Sequence, residues 1–356
     1  MLENVVLTRR HYVPWRLRVR NFTGGIASGL VIAFAILVAA GVSPGAIVNE
    51  FIVQVFLNSR GLAQTVTTAT PLIMVGLGAA AALKLRFWNI GVGGQVWLGA
   101  LGSTWIAIND IGPPEMRLPL MLAVSVVAGS AWIAIPVFFK LRYGVNEIIM
   151  TLLLEYIAFR LVQHLVFGPW QDPNTSFPVS EHLDSIERLG RLGWGNAHSG
   201  IWIALGAGVL MWLLMERSRF GYYAEAIGLN PVTAKGTGLP VTLTIVLAVL
   251  LSGGLAGLAG GTIVAGAEYR LTQFLGQGYT FSAIVIAFIA RFRPIPIVIT
   301  AFVIAGIFTA GETLKVFYSL SEAIVILIES VILFSVLVSE FFSSFRIRVL
   351  KTAPAK

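Results

Sequence analysis

The chain has 356 residues and no cysteine. That absence excludes thiol catalysis, a disulfide scaffold, Cys-ligated zinc and iron–sulfur centres. Histidine is scarce as well. The four residues are scattered, so neither a metal site nor any other cofactor is expected. Charged residues make up only 12% of the chain, where soluble domains carry ~25%. No Gly-Lys-Ser/Thr phosphate loop occurs, so a nucleotide-hydrolysing site is not expected. No polar segment is large enough to carry catalysis. The chain is therefore read as a non-enzyme whose energy comes from an ion gradient or another subunit.

Apolar sequence is what the chain has in quantity. Hydrophobic residues make up 56% of it and its mean hydropathy is +0.83, which leaves too little polar surface to cover a water-soluble globule. A bilayer core of ~30 Å needs ~20 apolar residues per helix. Such runs fall at about 24–43, 62–83, 92–108, 119–139, 147–167, 201–215, 241–265, 278–290, 295–311 and 323–341. The expected fold is all-α and polytopic, with about ten transmembrane helices. Span 278–290 is too short to cross unaided and reads as a half-helix completed by irregular backbone, which must be covered by protein or a water-filled cavity.

The net charge is +8, and its distribution speaks for topology rather than nucleic acid. Lys and Arg are retained on the cytoplasmic side of a membrane. With the N-terminus inside, the cytoplasmic segments hold eighteen: Arg9, Arg10, Arg16, Arg18, Arg20, Lys84, Arg86, Lys140, Arg142, Arg217, Arg219, Lys235, Arg291, Arg293, Arg346, Arg348, Lys351 and Lys356. The other side holds six, Arg60, Arg117, Arg188, Arg191, Arg270 and Lys315, and Arg160 lies within a span. This asymmetry supports an even number of crossings with both termini cytoplasmic. Removing the first span as a cleaved leader would break that parity, so it is expected to be retained. The organisation is a cytoplasmic segment 1–23, a transmembrane domain 24–341 and a cytoplasmic tail 342–356. An external loop, 168–200, and a cytoplasmic loop, 216–240, interrupt the domain.

Several motifs mislead by their letters. Leu251-Ser252-Gly253-Gly254 spells an ATPase signature but lies inside an apolar run. Gly253, Gly257 and Gly261 share one helix face, where they let backbones approach. Gly76-Leu77-Gly78 lies within a span and follows no strand, so it is no dinucleotide fingerprint.

Other stretches carry more. Tyr222 to Gly236 reads as a short helix, Ala224 to Leu229, stopped by Asn230-Pro231, and then a second turn over Val232 to Lys235. Such an element suits a groove in a partner, or is an ordinary solvated connector. Phe87 to Gln95 is a Gly-rich helix entry with two amides, Asn89 and Gln95. It suits a solute path or a satisfied helix terminus equally. Asn146 and Glu147 read as a helix cap. Deeper in the same span, Thr151 and Glu155 share a face, and an ionisable residue within a membrane marks function by default. Glu155 is the strongest polar candidate, with a structural partner on another helix as the alternative. Glu329 in the last span stands open between the same two roles. Arg160 and His164 lie near a span end, where snorkelling explains them as well.

In combination these stretches resemble the permease subunits of bacterial ATP-binding-cassette (ABC) importers of the ribose, branched-chain amino acid and nucleoside group, closest to the nucleoside and simple-sugar branch. The resemblance rests on Phe87 to Gln95, Gly144 to Ala158, Phe167 to Pro173, Ala226 to Pro231 with Ser252 to Gly260, and Gly278 to Ser282 with Arg291 to Pro294. It covers about 62–311. Two positions depart from it: Gly93 stands where relatives often carry Glu, and Glu155 where they often carry Asn. The second bears on substrate preference.

The resemblance implies a multi-pass protein of the bacterial plasma (inner) membrane. It implies an ATP-binding-cassette ATPase partner, a second permease subunit and an extracytoplasmic solute-binding protein. Residues Tyr223, Glu225, Ala226, Gly228, Leu229, Asn230 and Pro231 would then couple to the ATPase. Asn89, Gln95, Thr151, Glu155 and Phe281 are the candidates for lining a path that suits a nucleoside or simple sugar. A rival class, a proton-coupled secondary transporter using Glu155, predicts transport by the chain alone.

Overall fold

The computed structural model describes residues 5–10, 14–276 and 278–349. The elements in chain order are β1 (Val5–Arg9), α1 (Trp15–Ala39), α2 (Pro44–Val48) running into a π-helix (Asn49–Leu57), α3 (Ser59–Lys84), α4 (Val92–Ile108), α5 (Pro114–Tyr143) and α6 (Glu147–Val166). There follow α7 (Gly200–Glu216), α8 (Arg219–Leu229), α9 (Pro231–Gly236), α10 (Val241–Ile263) with a π-turn (Val264–Glu268), α11 (Tyr279–Ile289), α12 (Pro294–Tyr318), α13 (Glu322–Ser344) and β2 (Phe345–Val349).

Each of the ten apolar runs in the sequence is a helix, and among the described residues the fold is all-α apart from one pair of short strands. Seven of the helices are long and apolar enough to cross a membrane, or eight if the bent pair α7–α8 counts as one. The difference from ten lies in length. Helices α4 and α7 have 17 residues each, and α11 has 11, about 16 Å of helix against a ~30 Å core. An additional apolar helix, Pro44–Leu57, was not expected from the sequence.

The chain divides into two units. The first joins the two ends of the chain, up to Val53 and from Ala310 onward. In it β1 and β2 pair antiparallel, with Val5 opposite Val349 and Arg9 opposite Phe345. Above the strands α1 and α13 pack closely: a Cβ on Gly29 would lie 2.8 Å from Ile332 Cα, and Asn21 Nδ2 donates to Ser343 Oγ at 2.9 Å. Glu329 of α13 faces Gly311. The outermost positions of the segments expected at 1–23 and 342–356, Lys351 and Lys356 among them, lie outside the described residues.

The second unit, Gln54–Thr309, is built around α3 and α10. The most apolar stretch of α3 is 89% buried, against 22% for α6, so α3 is central and α6 presents an open apolar face. Helix α10 packs backbone to backbone. A Cβ on Gly257 would come within 2.1 Å of Ser125 O on α5, one on Gly260 within 2.0 Å of Val96 O on α4, and one on Gly78 of α3 within 2.7 Å of Ser252 O. The glycine face read from the sequence is thus a packing face. Without a hydrophobic driving force between helices in lipid, this close van der Waals contact is what holds them.

The 168–200 loop is laced onto one end of this unit. Arg117 of α5 donates to Glu187 at 2.9 Å, and both are buried. Asp172 caps its own turn by accepting from Asn174 N. Ser180 N donates to Leu271 O and Leu183 N to Tyr269 O. His198 is only 2% exposed, and its Nδ1 accepts from Gly200 N at 3.1 Å. Its ring lies where a Cβ on Gly266 would be.

Two predictions follow from this packing. Gly257→Val forces α10 away from α5 and lowers stability by about 1–3 kcal/mol, whereas Gly24→Ala, which meets open space, leaves it unchanged or slightly raised. Thermal unfolding in detergent checks this, and equal midpoints for Gly257→Val and the parent chain would contradict it. Burial holds the His198 imidazole at about 4, below its usual 6.5. The folded chain therefore binds that proton less readily than the unfolded chain. Its contribution is complete above pH 6.5 and is lost as pH falls toward 4, which amounts to about 2 kcal/mol by pH 5. His198→Gln should flatten this part of the stability–pH curve, and a curve parallel to the wild type's would count against the assignment.

Candidate functional site

The candidate path residues meet at the N-terminus of α4. Asn89 and Gln95 bond reciprocally, Asn89 Nδ2 to Gln95 Oε1 at 2.9 Å and Gln95 Nε2 to Asn89 Oδ1 at 3.0 Å. Asn89 also donates to Ser252 Oγ and accepts from Gly91 N. Both amides are buried, at 2% and 1% exposure, and are committed to each other. Thr151 Oγ1, also buried, accepts from Ile90 N at 3.1 Å and donates back to Glu147 O. These three residues tie the entry strand of α4 to α6 and α10.

Glu155 stands one turn further along α6. Its carboxylate accepts from Thr280 Oγ1, 2.8 Å from Oε2 and 3.0 Å from Oε1, while Thr280 Oγ1 accepts from Gly93 N at 2.8 Å. Gly93 is the second residue of α4 and Thr280 the second of α11. Two helix N-termini therefore converge on one carboxylate, each presenting about half a positive charge. Among the described residues no basic side chain pairs with Glu155, so these dipoles and the Thr280 hydroxyl stabilise it. A Cβ on Gly93 would lie 2.6 Å from Glu155 Oε1, and one on Gly94 2.8 Å from Glu155 Cα. The two departures from the family resemblance are thus neighbours in space: the carboxylate reaches this spot from α6, and Gly93 leaves room for it. Phe281, next to Thr280, is 70% exposed.

Sequence reasoning passed over Thr280, although it stands inside the Gly278-Tyr279-Thr280-Phe281-Ser282 stretch. It also missed the segment 269–276. That segment is held from behind by Gln273 Oε1, which accepts from Gln163 Nε2 at 2.9 Å, and by Gly276 seated on the Trp97 ring. The segment enters through a left-handed residue, Tyr269 at φ 55°, just after the π-turn. Nothing local in the sequence announces that geometry.

At the opposite end of the unit α7 and α8 bend by 67° and form an elbow with α9. Ser218 caps α8 by accepting from Phe220 N at 3.1 Å, and Asn230 caps α9 by accepting from Val232 N at 3.0 Å. The helix is five residues longer than expected, Arg219–Leu229 rather than 224–229, because the Ser218 cap starts it early. Three contacts fix the elbow to the end of α3. Gly228 abuts Lys84 O so closely that a Cβ would sit 2.2 Å away. Arg86 Nη2 donates to Leu229 O at 3.0 Å, and Lys84 approaches Glu225 at 3.9 Å. Glu216 pairs with Arg293 at 3.1 Å, and Lys140 with Glu147. Tyr223 and Ala226 are half-buried within the elbow. Asn230 and Pro231 are exposed at its tip, where Leu229 and Val232 are 74% and 80% exposed.

A helical bundle long and apolar enough for a membrane, with a capped elbow fixed to its central helix and a polar joint in its interior, defines a transport subunit. The chain belongs to the family described as the branched-chain amino acid transport system permease component, which matches residues 61–337. It is 30% identical to a glucose ABC transporter permease protein of Haloferax volcanii, over 96% of this chain and 93% of that one. It is 29% identical to a guanosine ABC transporter permease protein of Bacillus subtilis, over 87% and 90%. A nucleoside ABC transporter permease protein of Lactococcus lactis subsp. cremoris is 27% identical over 78% and 79%. The chain is the permease subunit of an ABC importer and a multi-pass membrane protein. ATP hydrolysis lies in a separate subunit, and transport involves an ATPase and a substrate-binding partner. Nothing in the site or among the relatives supports proton-coupled use of Glu155.

The joint makes a thermodynamic prediction. Gly93→Ala drives a methyl group into the Glu155 carboxylate and costs about 1–3 kcal/mol. Glu155→Asn in the same chain draws the side chain back and recovers at least part of that loss. A double-mutant cycle on unfolding in detergent should give a coupling of about 1 kcal/mol or more. Additive effects would show that the two positions do not share this space.

Proposed function

We propose that the chain carries an uncharged polar solute, a nucleoside or simple sugar, inward across the bacterial inner membrane, paired with a second permease subunit and bathed laterally by lipid. The named solutes of the relatives support that class. Both termini and the α8–α9 elbow face the cytoplasm in this reading, and the 168–200 loop faces the solute-binding protein. The ion pairs are consistent with it, since each joins residues that the charge count places on one side.

The observation that carries the coupling role is the elbow itself. Apolar side chains as exposed as Leu229 and Val232, on a helix pair capped and bolted to α3, suit a groove in a partner rather than water. ATP binding in the ATPase pushes on this tip. Through the Gly228–Lys84 contact the push reaches α3, and from there α10 and α11, which pack on it. Asn89, Gln95 and Thr151 hold the joint, while Glu155 and Phe281 stand beside the path. A driven step shifts transport only by favouring one of two packings.

The paired change Leu229→Asp with Val232→Asp tests the assignment with little risk to folding, because both side chains are largely exposed. Co-purification of the ATPase should fall at least tenfold while the thermal midpoint of the permease stays within a degree or so of wild type. An ATPase retained at wild-type stoichiometry would remove the elbow from the coupling role.

A further inference from the structure

The 269–276 segment also forms one wall of a recess of about 640 Å³, within the ~300–1,000 Å³ of small-molecule sites. It belongs wholly to the second unit. Its walls come from α3, the 177–179 part of the long loop, the end of α10, the 268–279 segment and α12. Phe177, Phe274, Tyr279 and Phe308 give it ring faces. Phe177 is 72% exposed and Phe274 63%.

The polar groups of this recess are notable for what they do not touch. Thr68, Glu268, Arg270 and Tyr279 line it, and among the described residues none of these four side chains has a hydrogen-bond or ion-pair partner. Of the other polar side chains at this end of the unit, Gln273, also in the wall, is committed to Gln163, Ser180 to Leu271 and Arg117 to Glu187. Here a carboxylate, a guanidinium, a phenol and a threonine hydroxyl share one recess with open hydrogen-bonding capacity. The carboxylate only accepts, the guanidinium only donates, and the two hydroxyls do both. Acid and base balance, so the recess selects neither anions nor cations. Aromatic walls favour the apolar face of a ring.

We infer that this recess is a solute-binding site for an uncharged, ring-bearing polyhydroxyl compound, held by Glu268, Arg270, Thr68 and Tyr279 against the aromatic wall. The chemistry is shared by a hexose and by a nucleoside. Glu268 accepts from adjacent ring hydroxyls, Arg270 donates to a ring or carbonyl oxygen, and the Phe274 and Phe308 faces cover the ring. The inference rests on the importer reading for its direction of transport but not for its binding site. Its location gives the 269–276 segment a purpose: Gly276 bears on the Glu155 joint behind, and residues 270 and 272–275 face the solute in front.

The absence of cysteine makes the test direct. Phe274→Cys introduces the only thiol, and its labelling by a water-soluble thiol reagent is followed in the assembled transporter, permease with its ATPase and solute-binding subunits, in proteoliposomes. Added glucose or guanosine should slow the labelling at least fivefold. Protection by one alone identifies the ring system, and protection by both identifies the shared chemistry. A second thiol position, Val232→Cys at the elbow, should not respond to either solute. In the cysteine-free protein Glu268→Gln and Tyr279→Phe should each raise the KM for uptake at least tenfold while the ATPase still co-purifies with the permease. Labelling untouched by both solutes, or variants with a wild-type KM, would overturn the site. A protected thiol in a wild-type complex that shows no ATP-dependent uptake would leave the site standing and refute the importer direction instead.

Discussion

Everything in the second unit is mounted on one contact, the backbone-to-backbone approach of α10 to α4 and α5. Gly257 against Ser125 O and Gly260 against Val96 O leave no room even for a methyl group. In a bilayer there is no water to drive helices together, so such contact, made over several turns, supplies the attraction. It also fixes where the polar joint falls. Ser252 on the same helix reaches Asn89, and Asn89 sets the entry to α4, whose second residue is Gly93. Displace α10 and the geometry around Glu155 goes with it.

A core packed in this way changes by switching between arrangements rather than by bending continuously. In the proposed function the elbow, bolted to α3 through Gly228, Lys84 and Arg86, is the ATPase's handle on that core. At the far end the second residue of α11, Thr280, binds Glu155. The short α11 is too short to cross the membrane alone, and its N-terminal partner is a carboxylate rather than lipid. That explains how a buried acid and an incomplete helix are tolerated in one chain: each satisfies the other. The 269–276 segment lies between this joint and the recess, so in the proposed reading a shift at the elbow and an occupant of the recess act on the same residues.

Much of this was legible in the sequence because it depends on local signals. Apolar runs gave ten helices, with 59–84 observed where 62–83 was expected. Asn146 caps α6 as its position before Glu147 suggested, accepting from Ile148 N at 2.9 Å. The spacing of Gly253, Gly257 and Gly261 marked the packing face. What could not be read depends on partners distant in the chain. Gly93 departs from the family resemblance, and the space it leaves is occupied by the carboxylate of Glu155, 62 positions away. Thr280 carried no signal of its own beside the larger Phe281. The β1–β2 pair joins the two ends of the chain, and the helix at 44–57 lacks the length that marks a span. Arg86 was counted as a topological charge, although its guanidinium also caps the end of α8.

The proposed coupling turns on one claim: when the ATPase binds nucleotide, the closely packed α5–α10 core keeps its geometry while the 269–276 segment shifts against it. Its most direct test is a pair of spin-label distance measurements in the full transporter, with and without ATP under non-hydrolysing conditions. Labels at Val127→Cys and Leu247→Cys report on the core, and labels at Val127→Cys and Phe274→Cys report on the segment; all three positions are exposed. The account predicts an unchanged core distance and a shifted segment distance on ATP binding. A segment distance that stays fixed, or a core distance that moves by as much, would contradict it.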